Sequence, residues 1–222
     1  YLIHIYKIIN LKDIYNNLGE ERTKEILSDY KCELNKDVEY FLKERAIEFS
    51  KQDYSRTYIV MSQYKDKDVI VGYFAITNKI TNIKKVKLSE TKRKKLLKFA
   101  IFDKESKSYN ISLPLIGQLG KNYNNEYNKL ITGDILLKLA CDKIKEVQEL
   151  LGGRFVFLEC EDKQKLEEFY ESNGFVCFGK RNLEKDERSK NEGEYLLQML
   201  KDLSKYDIKF KMMEMMITNN LI

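Results

Sequence analysis

The sequence is poor in the residues that most metal sites and nucleophilic enzymes need. It has one histidine, His4, and four cysteines that stand far apart: Cys32, Cys141, Cys160 and Cys177. A zinc site needs several Cys or His ligands at close spacing, and cysteine–histidine catalysis would depend on His4 alone. We therefore expect no metal cofactor, and we expect structural or incidental roles for the cysteines, since free cysteines are mostly buried.

Long apolar runs are also absent. No run approaches the ~20 residues that cross a bilayer. The apolar start, residues 1–6, is too short for a signal peptide and has no small-residue cleavage site. We expect a cytoplasmic protein without a membrane partner, in keeping with reduced thiols. Hydrophobic residues make up 43% of the chain, enough for a core. No linker or repeat divides the sequence, so one domain over residues 1–222 is predicted.

Periodicity predicts an α/β protein. Strands are predicted over residues 1–10, 56–64, 69–77, 111–119, 154–160, 175–178 and 195–200, and helices after Asp13 and over residues 35–51, 90–99, 132–151 and 162–172. Residues 65–68 form a polar turn, which indicates an antiparallel hairpin, and residues 180–194 read as a loop. The strand over 154–160 is almost continuously apolar, which is typical of burial on both faces.

A basic insert occupies residues 81–110. Its cations are Lys84, Lys85, Lys87, Lys92, Arg93, Lys94, Lys95 and Lys98, with apolar residues between them. Two interpretations are open: a solvated face of a surface helix, or an electrostatic guide for RNA or another polyanion. The net charge of +5 permits an anionic partner. The Met-rich tail at 204–222, with Met212, Met213, Met215 and Met216, is predicted to pack on the domain or on a partner.

Two motifs point to chemistry. A helix begins at Thr132-Gly133-Asp134, and the free N–H groups and partial positive charge of a helix start suit a pyrophosphate. Gly133 would let the backbone approach a ligand closely. Further on, residues 169–175 read F-Y-E-S-N-G-F.

With these motifs in this order, residues 112–178 resemble the acetyl-CoA-binding half of the GNAT superfamily of N-acetyltransferases. The resemblance consists of a strand, a phosphate loop, a helix carrying Leu136-Leu137, a buried strand and a helix reading F-Y-x-x-x-G-F. Upstream, Tyr30-Lys31-Cys32, Phe41-Leu42-Lys43 with Ala46, Ser55-Arg56-Thr57-Tyr58 and Val71-Gly72-Tyr73-Phe74 resemble the branch of phage-like acetyltransferases and acetylating toxins. The similarity covers most of residues 28–200. It implies a mixed, mostly antiparallel α/β sheet flanked by helices, with a splayed parallel pair at the acetyl-CoA site.

The resemblance also implies site residues. An acceptor amine attacks the thioester of acetyl-CoA directly, the strand end Gln118-Leu119-Gly120 holds the pantetheine arm, and the loop residues Leu130, Ile131, Thr132, Gly133 and Asp134 bind the pyrophosphate. Tyr170 matches the family's general acid, because a phenol with a pKa near ~10 keeps its proton at neutral pH; its alternative role is a core aromatic beside Phe169. Glu159 is a candidate general base on strand alternation, unless water or an already neutral amine replaces it. Arg56 and Tyr73 either line the acceptor side or have surface and packing roles.

One departure from the family lies in the loop. Of the loop glycines only Gly133 remains, and the interval from Leu119 to Gly133 is longer than usual, filled by Asn122-Tyr123-Asn124-Asn125. The sequence thus predicts an acetyl-CoA-dependent N-acetyltransferase whose unknown acceptor is a protein amine, a small-molecule amine or an aminoacyl-tRNA, the tRNA bound through the basic insert. The alternative is a catalytically weak GNAT-like module that binds CoA or nucleic acid, including one from a phage or mobile element. A homodimer is also predicted.

Overall fold

The computed structural model describes residues 5–83, 89–184 and 193–206. Its strands are β1 (Lys7–Asn10), β2 (Arg56–Tyr64), β3 (Lys67–Ile83), β4 (Ala100–Asp103), β5 (Ser108–Lys121), β6 (Phe155–Glu161), β7 (Val176–Asn182) and β8 (Tyr195–Asp202). Its helices are α1 (Leu11–Ser28), α2 (Lys36–Tyr40), α3 (Ala46–Lys51), α4 (Glu90–Leu97), α5 (Gly133–Leu151) and α6 (Gln164–Ser172). A π-helical turn covers Phe41–Arg45, and a 3₁₀ segment covers Asn124–Lys129.

The eight strands form one sheet in the order β1-β2-β3-β5-β6-β8-β7, with β4 paired to the beginning of β5. The pair β5–β6 is parallel, and the other pairs are antiparallel. The predicted mixed, mostly antiparallel sheet with one parallel pair is therefore confirmed.

Apolar side chains cover both faces of this sheet. On one face α5 and α6 pack over residues such as Val60, Val71 and Val156. Alternate residues of the same strands point the other way, so Ile59 packs against α1–α3 and Phe157 packs against α4. The sheet is thus a middle layer with helices on each side, and α1–α3 and α4 share one face at opposite ends.

Local chemistry explains where the first helices begin. Helix α1 begins at Leu11, before the expected Asp13 cap, because the Asn10 side chain accepts the Lys12 N–H at 3.0 Å. It kinks at Gly19, whose φ is +76°. Asn35 caps α2 as predicted, but the expected helix over 35–51 is interrupted by the π-helical turn.

Several strands differ from prediction. Strands β3 and β5 extend further towards the insert than expected, β4 was not predicted, and β7 runs to Asn182 inside the expected loop. Of the strand expected over residues 1–10, the structure shows Lys7–Asn10, and residues 1–4 lie outside the described residues. The expected helix in the insert is confirmed as α4.

Lys84, Lys85, Lys87 and the four tail methionines lie outside the described residues. In the part of the chain that the structure describes, no helix combines the length and apolarity needed to span a membrane.

Candidate active site

The parallel strands β5 and β6 separate after two residue pairs. They are paired at Leu115–Phe157 and Ile116–Leu158. Beyond that point β5 continues beside β3, β6 continues beside β8, and no described strand lies between them. A β-bulge lies at the point of separation: Ala75 pairs with Gln118 and Ile76 with Ile116, so Gly117 is an extra residue that bends β5. The splay leaves two strand edges facing a cleft.

The cleft has a volume of about 1010 Å³, at the upper end of the ~300–1,000 Å³ usual for small-molecule sites. Of the predicted site residues, it is lined by Gln118, Leu119, Gly120, Gly133, Glu159 and Tyr170. The structure therefore brings the strand end, the start of α5, the buried strand and the F-Y motif to one place.

The remaining predicted loop residues lie beside the cleft and support its wall. The Leu130 carbonyl accepts the Tyr6 hydroxyl at 2.8 Å, and Ile131 is buried in the core. The Thr132 hydroxyl caps α5 by accepting the Ile135 N–H at 3.2 Å, and the Asp134 carboxylate accepts the Asn173 amide at 2.8 Å. These contacts fix the first turn of α5 against the core and against the end of α6.

Gly133 lies in a tightly packed place where α5 begins. A Cβ atom at this position would lie 3.1 Å from the Phe169 ring of α6. Gly120 is more severely constrained on β5, since a Cβ there would collide with Val38 and with the Tyr30 hydroxyl. The two glycines therefore let the cleft walls pack closely against their supporting elements.

Asn122 accounts for the long interval before α5. Its side-chain amide donates to the Ile70 carbonyl at 2.8 Å and to the Asp29 carbonyl at 3.3 Å. Its side-chain oxygen accepts the backbone N–H groups of Lys31 at 2.9 Å and Asn124 at 3.0 Å. The fully buried Asn122 thus ties the loop before α5 to the segment that leads into α2.

Tyr170 lies on α6 with its ring fixed by aromatic neighbours. The ring meets Phe169 and Phe175 edge-to-face at centroid distances of 5.0 and 5.9 Å. Its hydroxyl has no hydrogen-bond partner among the described residues. Burial, followed by the nearby Cys160 thiol, raises the pKa of Tyr170. The phenol therefore carries its proton at neutral pH.

Glu159 points into the cleft but is held by cations. Its carboxylate accepts Arg181 Nε at 2.9 Å and Nη2 at 2.7 Å, and it also accepts Lys79 Nζ at 3.1 Å. The Gln198 amide donates to the same carboxylate at 3.1 Å. Burial raises the pKa of Glu159, but the hydrogen bonds and charges of Arg181 and Lys79 outweigh burial and leave the pKa below its ordinary value. A weak base of this kind is poorly suited to take a proton from an ammonium group.

Sequence reasoning missed the partners of Glu159. Arg181 fell in the expected loop and proved to lie on β7, and Lys79 lies on the unexpected extension of β3. A glutamate in an otherwise apolar strand needs a cationic partner. The cations just beyond the predicted ends of the strands over residues 69–77 and 175–178 were the signal that could have identified both residues.

The cleft ends in an aromatic wall that the sequence did not predict. Phe41, in the π-helical turn, stacks on Tyr73 at 6.5 Å and meets Phe49 edge-to-face at 5.5 Å. Phe49 in turn meets Tyr54, which is 62% exposed at the rim. π-Helical turns are frequent at functional sites, so this wall is a candidate surface for the acceptor.

The structure favours a packing role for Tyr73 and a surface role for Arg56. Tyr73 is fully buried, and its hydroxyl donates to the Val38 carbonyl at 2.5 Å. Arg56 pairs with Asp53 at 2.7 Å outside the cleft.

The four cysteines are free thiols. Burial raises the pKa of Cys141 and Cys160 to about 12, which keeps both protonated and unreactive at neutral pH. The described ranges contain no group of three His, Cys, Asp or Glu side chains that could hold a metal ion.

Comparisons with known proteins identify solved structures with the same fold. No protein-family model and no curated protein matches the sequence. Among solved structures the chain is similar to AtaT in complex with acetyl-methionyl-tRNAfMet, at 17% identity over 96% of this chain and 99% of that chain, with a TM-score of 0.58. A point mutant of KacT matches at 16% identity over 87% and 93% of the two chains, with a TM-score of 0.58. AtaTR bound with acetyl-CoA matches at 16% identity over 86% and 91%, with a TM-score of 0.51. At these identities the likeness shows that the chain has the fold of these toxin acetyltransferases.

Proposed function

We propose that this chain is an acetyl-CoA-dependent N-acetyltransferase that acetylates the α-amine of an aminoacyl-tRNA. The observation that carries the proposal is the splayed β5–β6 pair with Tyr170 on the wall of the cleft that it opens. The fold supports it as well, since neighbours of the same fold were solved with acetyl-CoA and with acetyl-methionyl-tRNA.

The residues of the cleft fit a CoA thioester. Backbone groups of Gln118, Leu119 and Gly120 on the free edge of β5 would hold the pantetheine arm as an additional strand does. The first-turn N–H groups of α5, at Gly133 and Asp134, would bind the pyrophosphate, because backbone donors need no particular side chain. Pyrophosphate binding therefore does not require the loop glycine that this sequence lacks. When bound, acetyl-CoA supplies the activated acetyl group.

In this proposal Tyr170 is the general acid. Its raised pKa keeps the hydroxyl protonated, and the absence of an internal partner in the described residues leaves the proton free to be donated to the departing thiolate. The rings of Phe169 and Phe175 hold the Tyr170 ring in place but form no hydrogen bond with its hydroxyl.

The carboxylates that line the cleft are engaged by other side chains, which favours an acceptor amine that is already partly neutral. Glu159 is bound by Arg181 and Lys79, Glu161 by Lys163 at 3.1 Å, and Asp37 accepts the Gln118 amide at 3.3 Å. With a pKa of ~7.7, about 10–20% of an α-amine is neutral at pH 7, against about 0.04% of a lysine amine with a pKa of ~10.4. An α-amine therefore needs little help from a base, whereas a lysine depends on one. We assign Glu159 to positioning Arg181 and Lys79 at the acceptor end.

The acceptor is tested with matched substrates. Labelled acetyl-CoA is incubated with charged tRNA, with the same tRNA after deacylation, and with an N-terminally blocked lysine peptide. We expect label on the charged tRNA that alkaline hydrolysis releases as acetyl-amino acid, and none on the other two substrates. Label on the lysine peptide instead would overturn the α-amine assignment. Acetyl-CoA binding without transfer to any amine would favour the alternative of a binding module.

A further inference from the structure

The net positive charge of the chain is concentrated in one segment. Residues 81–110 carry ten Lys and Arg against three Asp and Glu, a net charge of +7, whereas the whole chain carries +5 and the remainder is therefore acidic at −2. A uniform solvated surface would not separate the charge in this way. The segment instead matches the charge pattern of proteins that bind a polyanion.

Helix α4 displays this charge outward. It is held to the sheet by Leu96, which is fully buried against Phe155 and Phe157. Arg93, Lys95 and Lys98 are exposed, and none of them has an acidic partner in the described part of the chain. A helix stabilised by its own ion pairs would place acids beside these cations, so their charge is available to an external anion.

Exposed aromatic and apolar groups follow the cations directly. On β4, Phe102 is 50% exposed beside Tyr109, with ring centroids 5.0 Å apart, and Ile101 is 77% exposed. Phe99 is 47% exposed where α4 ends. Open aromatic faces among cations are the features with which proteins bind single-stranded nucleic acid, because the bases stack and the phosphates pair with the cations.

Helix α4 and its cations lie on the same face of the sheet as Glu159. Phe157, which packs against α4, and Glu159, which lines the cleft, alternate on β6 and so project from the same face. Lys79 on β3 reaches Glu159 from that face as well. A substrate whose reactive end enters the cleft on this side would extend over α4 and β4.

We propose that α4 and β4 form a binding surface for single-stranded RNA, with Arg93, Lys95 and Lys98 contacting phosphates and Phe102 stacking on a base. The inference rests on the proposed aminoacyl-tRNA acceptor for the identity of the polyanion. Its test uses RNA that carries no amino acid, in the absence of acetyl-CoA. A failure of RNA binding can therefore be distinguished from a failure of acetyl transfer.

The test measures the affinity of the full chain for a fluorescein-labelled 12-nucleotide single-stranded RNA by anisotropy at several salt concentrations. Replacing Arg93, Lys95 and Lys98 together by Ala is expected to weaken binding on the order of 100-fold at 0.1 M salt and to reduce the slope of log K against log salt by about 2. Phe102→Ala is expected to weaken binding by roughly 5- to 100-fold with the slope unchanged. The control triple variant, Lys65, Lys67 and Lys205 to Ala, changes exposed lysines outside the insert and should bind as the wild type does.

All substituted side chains are exposed, so the variants should unfold at the wild-type temperature. Three results would overturn the surface: no RNA binding by the wild type at low salt, the same loss in the control triple variant, or an insert variant with unchanged affinity and slope. If one of these three results is obtained while the wild type still transfers acetyl groups to charged tRNA, the proposed function stands without this surface.

Discussion

The Tyr170→Phe variant is expected to transfer acetyl groups about 10²–10⁴ times more slowly than the wild type, because the leaving thiolate loses its proton donor. This corresponds to about 3 to 5 kcal/mol of transition-state stabilisation. The ring contacts with Phe169 and Phe175 remain, and no hydrogen bond among the described residues is lost. The affinity for acetyl-CoA and the unfolding temperature should therefore stay close to those of the wild type.

Single-turnover kinetics, acetyl-CoA titration and thermal unfolding measure these three properties. Tyr64→Phe is the matched control: Tyr64 also meets an aromatic ring, Tyr127, edge-to-face at 5.5 Å, but it lies outside the cleft. It should keep full activity. If Tyr170→Phe also keeps full activity, Tyr170 is a packing residue and not the acid.

The Glu159→Gln variant is expected to lose about 3 kcal/mol of stability, at the low end of the ~3–5 kcal/mol cost of breaking a buried ion pair. The lower value follows because Lys79 is partly solvated, with 37% of its side chain exposed, whereas Glu159 is 8% and Arg181 20% exposed. For a chain of this length the unfolding temperature should fall by about 6 to 12 °C. The rate per folded molecule should fall less than 10-fold, since we assign Glu159 to positioning.

The pH dependence gives a second readout. Because the folded-state pKa of Glu159 lies below its ordinary value of 4.5, its stabilisation is fully present above that pH and is lost as the pH falls through the folded pKa. The stability gap between wild type and variant should thus be constant near neutrality and close only in acid. Glu161→Gln, on the same strand and paired with a 44% exposed Lys163, is the control and should be far milder. A loss of activity above 100-fold in a stable Glu159→Gln protein would make Glu159 the base.

The sequence predicted the elements whose signals are local. The helix capped by Thr132 and ended by Gly152 and the strand over 56–64 were predicted closely, because caps, glycine and apolar periodicity act over a few residues. The splayed parallel pair was expected from the family resemblance alone.

What the sequence missed depends on contacts between distant elements. The bulge at Gly117 is defined by register with β3, and Arg181 reaches Glu159 from a strand 22 residues further on. Leu130 and Ile131 were expected to bind the cofactor. The sequence around them did not reveal that the Leu130 carbonyl accepts the Tyr6 hydroxyl or that Ile131 is buried in the core. The role of Asn122 likewise appears only once Asp29, Lys31 and Ile70 surround it.

The central claim is that the cleft between β5 and β6 binds acetyl-CoA. Thermal unfolding should be recorded with acetyl-CoA from micromolar to millimolar concentrations, and with ATP as a polyanion that has no pantetheine arm. At 100 times its dissociation constant the ligand should stabilise the fold by ~2.7 kcal/mol, a saturable rise of about 5 to 10 °C that ATP does not match. No shift at millimolar acetyl-CoA would contradict the account, since the cleft would then bind no donor.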